Sequence, residues 1–124
     1  NTQSQFNSSR YVYTQNLMNY VERHKESSKS VYDNIRNWAA DKGIYEKGDG
    51  KTQYIKLMEE AGELAQALLK QDEPEVIDAI GDMVVVLTNL AHLRGHKIED
   101  CIDSAYDVIK NRTGKMENGT FKKD

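Results

Sequence analysis

The chain has 124 residues, a formal net charge of −3, 30% charged residues and a single cysteine. This length predicts one domain, and the mildly acidic balance argues against a general binder of nucleic acid or of anionic membranes, leaving a small molecule as the expected partner. With Cys101 alone no intrachain disulfide can form, which fits a reducing intracellular setting, and a lone Cys in a helical pattern predicts a small buried hydrophobe.

Residues 1–29 open on the polar stretch NTQSQFNSS, with Tyr11, Leu17, Met18 and Val21 spaced for at most a weak helix. No signal-peptide hydrophobic region stands there. The longest apolar run, Met83 to Leu87, is far shorter than the roughly 20 residues needed to cross a bilayer, so a cytoplasmic location is expected.

A helical domain is predicted over 30–112. Ser30 is a natural N-cap for a helix carrying Val31, Ile35, Trp38 and Ala39, with Gly43 as its stop. The segment YEKGDGK then reads as a turn. From about Thr52 to Lys70, Tyr54, Leu57, Met58, Ala61, Leu64, Ala65 and Leu68 keep helical spacing and form a stripe wide enough to face a core. Asp72 is the predicted N-cap of the next helix, with Pro74 tolerated in its first turn and Gly95 ending it. A last helix is expected near Ile98 to Asn111. Residues 113–124 read as a basic, turn-rich tail, and no strand-like alternation of useful length is apparent.

Two helices carry more acid than surface solubility needs. Glu59, Glu60 and Glu63 crowd within five positions, where like-charged neighbours at three and four residues cost roughly 0.2–0.5 kcal/mol per pair. Lys56 offers partial relief in the weaker orientation. On the following helix Glu75, Asp78, Asp82 and Asn89 share one narrow stripe, although Val84, Val85, Val86 and Leu87 make its second half apolar all round. Asp82 is flanked in projection by Val85 and Val86, and an ionised carboxylate in such surroundings is costly unless paired or bound to metal. Packing the two helices together concentrates carboxylates that a divalent ion would neutralise. Oxygen-only ligands favour Mg²⁺ or Mn²⁺ over Zn²⁺. His24, His92 and His96 share no ligand spacing with these groups, and the absence of Glu-x-x-His pairs disfavours a di-iron bundle. The apolar-all-round helix predicts burial against a second subunit, in a homodimer or a dimer of dimers.

The segments KLMEEAGEL and DAIGDMVVVL together resemble the MazG-like all-alpha nucleoside triphosphate pyrophosphohydrolases. That family pairs a Lys-Leu-x-Glu-Glu-x-x-Glu helix with an acidic helix whose last Asp precedes an apolar run. Lys56, Glu59, Glu60 and Glu63 stand at the first set of positions and Asp82 at the last. The likeness extends from about Ile35 to KNRTGK, which is similar to the family's basic, phosphate-touching end. One position departs: the family usually has Glu three residues before the final Asp, and here that residue is Ala79, with Asp78 one residue earlier on a neighbouring part of the face.

The resemblance implies an all-α bundle of four to five helices, assembling as an oligomer. It implies a nucleoside triphosphate substrate cleaved between the α and β phosphates, with Mg²⁺ (or Mn²⁺ in its place) held by Glu60, Glu63, Asp78 and Asp82. Glu59 would orient or deprotonate the attacking water. Lys56, Lys110, Arg112 and Lys115 would contact the triphosphate, Asn89 and Asn111 would hydrogen-bond ligand or phosphate, and Trp38 would stack on the base. For Trp38 a core position, and for the basic residues a solvated tail, stand as alternatives. The rival function is a non-catalytic helical interaction module with a degenerate acidic site.

Overall fold

The computed structural model describes residues 14–18 and 30–124. Residues 14–18 are helical and exposed, while Tyr11, Val21 and His24 lie outside the described residues. From Ser30 the chain forms α1 (Val31–Asp41), the single-turn α2 (Ile44–Lys47), α3 (Gly50–Lys70), α4 (Glu73–Leu93) and α5 (Ile98–Ile109), then a hairpin of β1 (Gly114–Glu117) and β2 (Thr120–Lys123).

Local chemistry sets these boundaries. Ser30 and Asp33 form a reciprocal capping box, in which the Asp33 amide donates to Ser30 Oγ and the Ser30 amide to Asp33 Oδ2. Asp49 accepts from the Thr52 amide at 2.8 Å and Asp72 from the Glu75 amide at 3.3 Å, satisfying the free donors at the starts of α3 and α4. Between these helices Gln71 takes a left-handed conformation (φ 56°), turning the chain so that α3 and α4 lie against one another as the main pair of the bundle. Helix α1 packs on α4 and α2, and α5 on α4.

The predicted turn after Gly43 is partly a helix. Tyr45, in α2, donates through its hydroxyl to Asn89 Oδ1 at 2.7 Å and stacks on His92 with ring centroids 3.9 Å apart. These contacts to α4 hold one helical turn that is too short to persist alone. Arg36 fixes another junction. Its side chain, 12% exposed, gives two 2.7 Å hydrogen bonds to Glu99 of α5 and one of 2.8 Å to Asp33. The Arg36 guanidinium holds both carboxyls below their usual range. Groups with lowered native pKa contribute stability that is present above the unfolded-state pKa and lost as pH falls through the native one. The α1–α5 junction is therefore expected to weaken on acidification below the ordinary carboxylate range. An acid titration followed by an NMR probe on Glu99 checks this, with Arg36→Met removing the dependence.

The tail departs from expectation. Residues 114–123 form an antiparallel pair with Met116 opposite Phe121 and Lys115 opposite Lys122. Its turn is Asn118-Gly119, both at positive φ (51° and 82°), the conformation that matches a two-residue turn to the twist of its strands. At Gly114 a Cβ would collide with the Lys122 carbonyl and the Phe121 ring, so only glycine lets that ring lie across the strand. Gly119→Val should cost roughly 1–2 kcal/mol locally. Because the hairpin makes no extensive contact with any helix, loss of the Met116–Phe121 cross-strand NMR contacts is expected with little change in bundle melting.

The core of a single copy is thin. Ala39, Leu57, Ala67, Val76, Ala79, Val86 and Ala91 are buried, nearly all of them small, whereas Ile55, Met58, Leu68, Leu69, Ile80 and Tyr106 stay exposed. Cys101, expected to be buried, is exposed, because α5 turns much of its apolar side away from α4. Trp38 is 49% exposed, so it is not the core residue that its spacing suggests. Helix α4 has the length and apolar composition of a membrane span. The same composition suits the central helix of a bundle, and Asp78 and Asp82 in its middle would be costly in lipid.

Candidate metal and phosphate site

The middle of α3 faces the middle of α4, and there the acidic side chains meet. Glu60 lies on the part-buried edge of α3, within hydrogen-bonding reach of Glu63 on its own helix and of Asp82 across the interface. When all three are ionised each can only accept, so a hydrogen bond between them requires a proton on one of the carboxyls. Glu60 Oε2 is buried with no partner at all.

The electrostatics follow from that arrangement. Burial, then the neighbouring Glu63 and after it the charge of Asp82, push the Glu60 carboxyl upward; Lys56 opposes them weakly. Asp82 is also raised, by partial desolvation, then by Asp78 and by Glu63, again with Lys56 in opposition. Lys56, Glu60, Glu63, Asp78 and Asp82 therefore feel one another across the α3–α4 seam. Glu59 is exposed and is not among the charges that dominate at Glu60 or Asp82.

Two expectations are corrected in detail. Asp82 is exposed in the single chain rather than enclosed by Val85 and Val86, of which only Val86 is buried. Among the described residues no three His, Cys, Asp or Glu side chains are gathered closely enough to coordinate an ion as they stand. The donor set nevertheless fits a hard divalent cation: it is all oxygen, it comes from two rigid helices, and one of its oxygens is buried without a donor. Ala79 is buried at the position one turn before Asp82, and Asp78 approaches from the exposed side instead.

The predicted substrate contacts are not all brought to this seam. Asn89 is 2% exposed and its amide oxygen accepts from the Tyr45 hydroxyl, so the side chain is buried at the α2–α4 contact. Sequence spacing placed Asn89 on the Asp82 stripe but could not show that Tyr45 would claim it. Lys110 pairs with Asp107 at 3.1 Å, and Lys115 lies 3.4 Å from Glu117. Lys110, Asn111, Arg112 and Lys115 are exposed at the end of α5 and in the hairpin, and α5 packs on α4 rather than on α3. An open groove of about 890 Å³ lies further along the same two helices, lined by Lys51, Tyr54, Ile55, Leu90, Leu93 and Arg94 among others. The sequence reading missed it because its walls are distant in the chain.

A helical bundle whose central pair opposes clustered carboxylates defines a class of acidic-site all-α proteins. Within that class, residues 50–116 match the MazG nucleotide pyrophosphohydrolase domain, and the chain belongs to that family. The match begins at α3 and ends in β1, so it contains both acidic helices. The chain is also 42% identical over 82 residues to an uncharacterised 18.2 kDa protein from the rep-hol intergenic region of Haemophilus phage HP1. That alignment covers 65% of this chain and 46% of the phage protein, so the chain spans about half its relative's length. No solved structure matches.

Proposed function

We propose that the protein is a Mg²⁺-dependent nucleoside triphosphate pyrophosphohydrolase. In this reading it converts a (deoxy)nucleoside triphosphate to the monophosphate and pyrophosphate, as a house-cleaning activity on the cytoplasmic nucleotide pool. The observation that carries it is the unpartnered, buried Glu60 Oε2 facing Asp82 across two helices of a nucleotide pyrophosphohydrolase domain.

Glu60, Glu63, Asp78 and Asp82 would hold the cation, with Mn²⁺ as a substitute. When bound, such an ion neutralises phosphate oxygens and lowers the pKa of a coordinated water. Glu59, exposed on the same helix next to Glu60, would orient that water and accept its proton. Lys56 sits close enough to Glu60 and Asp82 to oppose in part the upward push on both carboxyls, and could meet a phosphate oxygen at the same seam. Arg112, Lys110 and Lys115 would engage the phosphates from the basic end, and Trp38, half exposed on α1, offers a face for the base.

The test is a panel of ribo- and deoxynucleoside triphosphates with Mg²⁺, read for pyrophosphate against phosphate. Pyrophosphate from at least one nucleotide supports the reading; none from any, with the bundle folded, favours the interaction module that the Ala79 departure keeps as its rival. Glu59→Gln is expected to lower kcat roughly 10²–10⁴-fold. Because Glu59 stands outside the proposed ligand set, Mg²⁺ is expected to raise the melting temperatures of this variant and of the wild type alike. Loss of that shift would move Glu59 into the metal site.

A further inference from the structure

We propose that the C-terminal hairpin is a docking element that seats Met116 and Phe121 on the outward face of α5 of a second copy of the chain.

Among the described residues the hairpin carries a surface that is left largely exposed. Met116 and Phe121 are directly opposite one another across the strands and are 66% and 48% exposed. Side chains alternate along a strand, so Lys123 shares their face while Lys115, Glu117 and Lys122 occupy the other. A two-stranded ribbon is marginal in water unless another element covers one face. Among the described residues no helix makes extensive contact with the hairpin.

Helix α5 presents the matching surface. Ile102, Tyr106 and Ile109, at helical spacing, form an apolar stripe that is exposed throughout, bordered by the exposed Asp103. The apolar pair can lie on this stripe with Lys123 beside Asp103. Long-range charge favours the same partner: residues 110–124 carry a net +3 in a chain of −3, leaving −6 on the remainder. A basic hairpin and an acidic body attract between copies. If each copy gives its hairpin to the other, the contact closes on a two-fold axis without leaving an open end. This contact does not depend on the enzymatic reading.

Sedimentation of the full chain tests it, with Phe121→Glu altering the hairpin and Tyr106→Glu altering α5. Tyr106 is 59% exposed, so its replacement should leave the bundle folded, as far-UV circular dichroism can verify. Each variant alone should associate at least roughly tenfold more weakly than the wild type. Mixing the two should restore association in part, because the mixed pair regains one of the two contacts: the intact hairpin of the Tyr106→Glu chain on the intact α5 of the Phe121→Glu chain. A wild-type chain that stays monomeric at about 100 μM, above the micromolar range in which standard interfaces form, would overturn the proposal. So would a variant that associates like the wild type, or a mixture that stays as weak as its components.

Discussion

Glu60→Gln should reduce pyrophosphate release by roughly 10³-fold, the equivalent of about 4 kcal/mol of lost transition-state stabilisation. The same change should make the ion-free protein more stable. Glu60 is the part-buried member of the cluster, its Oε2 has no partner, and Glu63 and Asp82 both repel its charge. A glutamine amide removes that repulsion and supplies donors that the two remaining carboxylates can accept. A gain of about 0.5–1 kcal/mol is expected in chemical denaturation without divalent ions. Asp82→Asn should behave alike, because its carboxyl is also raised by burial and by its acidic neighbours. Activity lost together with stability would mean that the carboxylate is a structural element. Retained activity would remove the residue from the site.

Arg36→Ala should have the largest effect on the fold, a loss of about 2 kcal/mol and roughly 6–10 °C in Tm. Its guanidinium is mostly buried and bridges α1 to α5 through both oxygens of Glu99. Glu99 is about one-third exposed on its side chain, so water screens part of the pair and the loss stays below that of a fully buried bridge. Arg36→Lys should recover only part of it, since a single ammonium cannot reproduce the paired geometry. A thermal melt of both variants checks the order wild type above Lys above Ala. Equal melting of wild type and Arg36→Ala would show that α1 is held by its apolar contacts alone.

Those parts of the fold governed by neighbours in sequence were readable from the sequence. The caps at Ser30 and Asp72, the stop before Gly95 and the two long helices follow from local chemistry, and the structure has them where the residues place them. The opposition of Glu60 and Asp82 was also legible, because both acidic clusters border the apolar stripes that bring α3 and α4 together. What the sequence hid depends on distant partners. Tyr45 reads as a loop residue until Asn89 and His92 hold it, and no local signal marks Asn89 as the acceptor of the Tyr45 hydroxyl. Cys101 and Trp38 look apolar enough to be buried, but neither side-chain type records which face of a helix lacks a neighbour. The hairpin did carry a local signal in Asn118-Gly119. The charged residues of its two strands, Lys115, Glu117, Lys122 and Lys123, disguise the short alternation around it.

The carboxylate seam itself is tested most directly by titrating the protein with Mn²⁺ and counting bound ions by electron paramagnetic resonance. At least one bound Mn²⁺ per chain is expected, displaced by excess Mg²⁺ and lost in the Glu60→Gln, Asp82→Asn double variant. Binding that survives unchanged in the double variant, or a wild-type chain that binds no Mn²⁺, would contradict it.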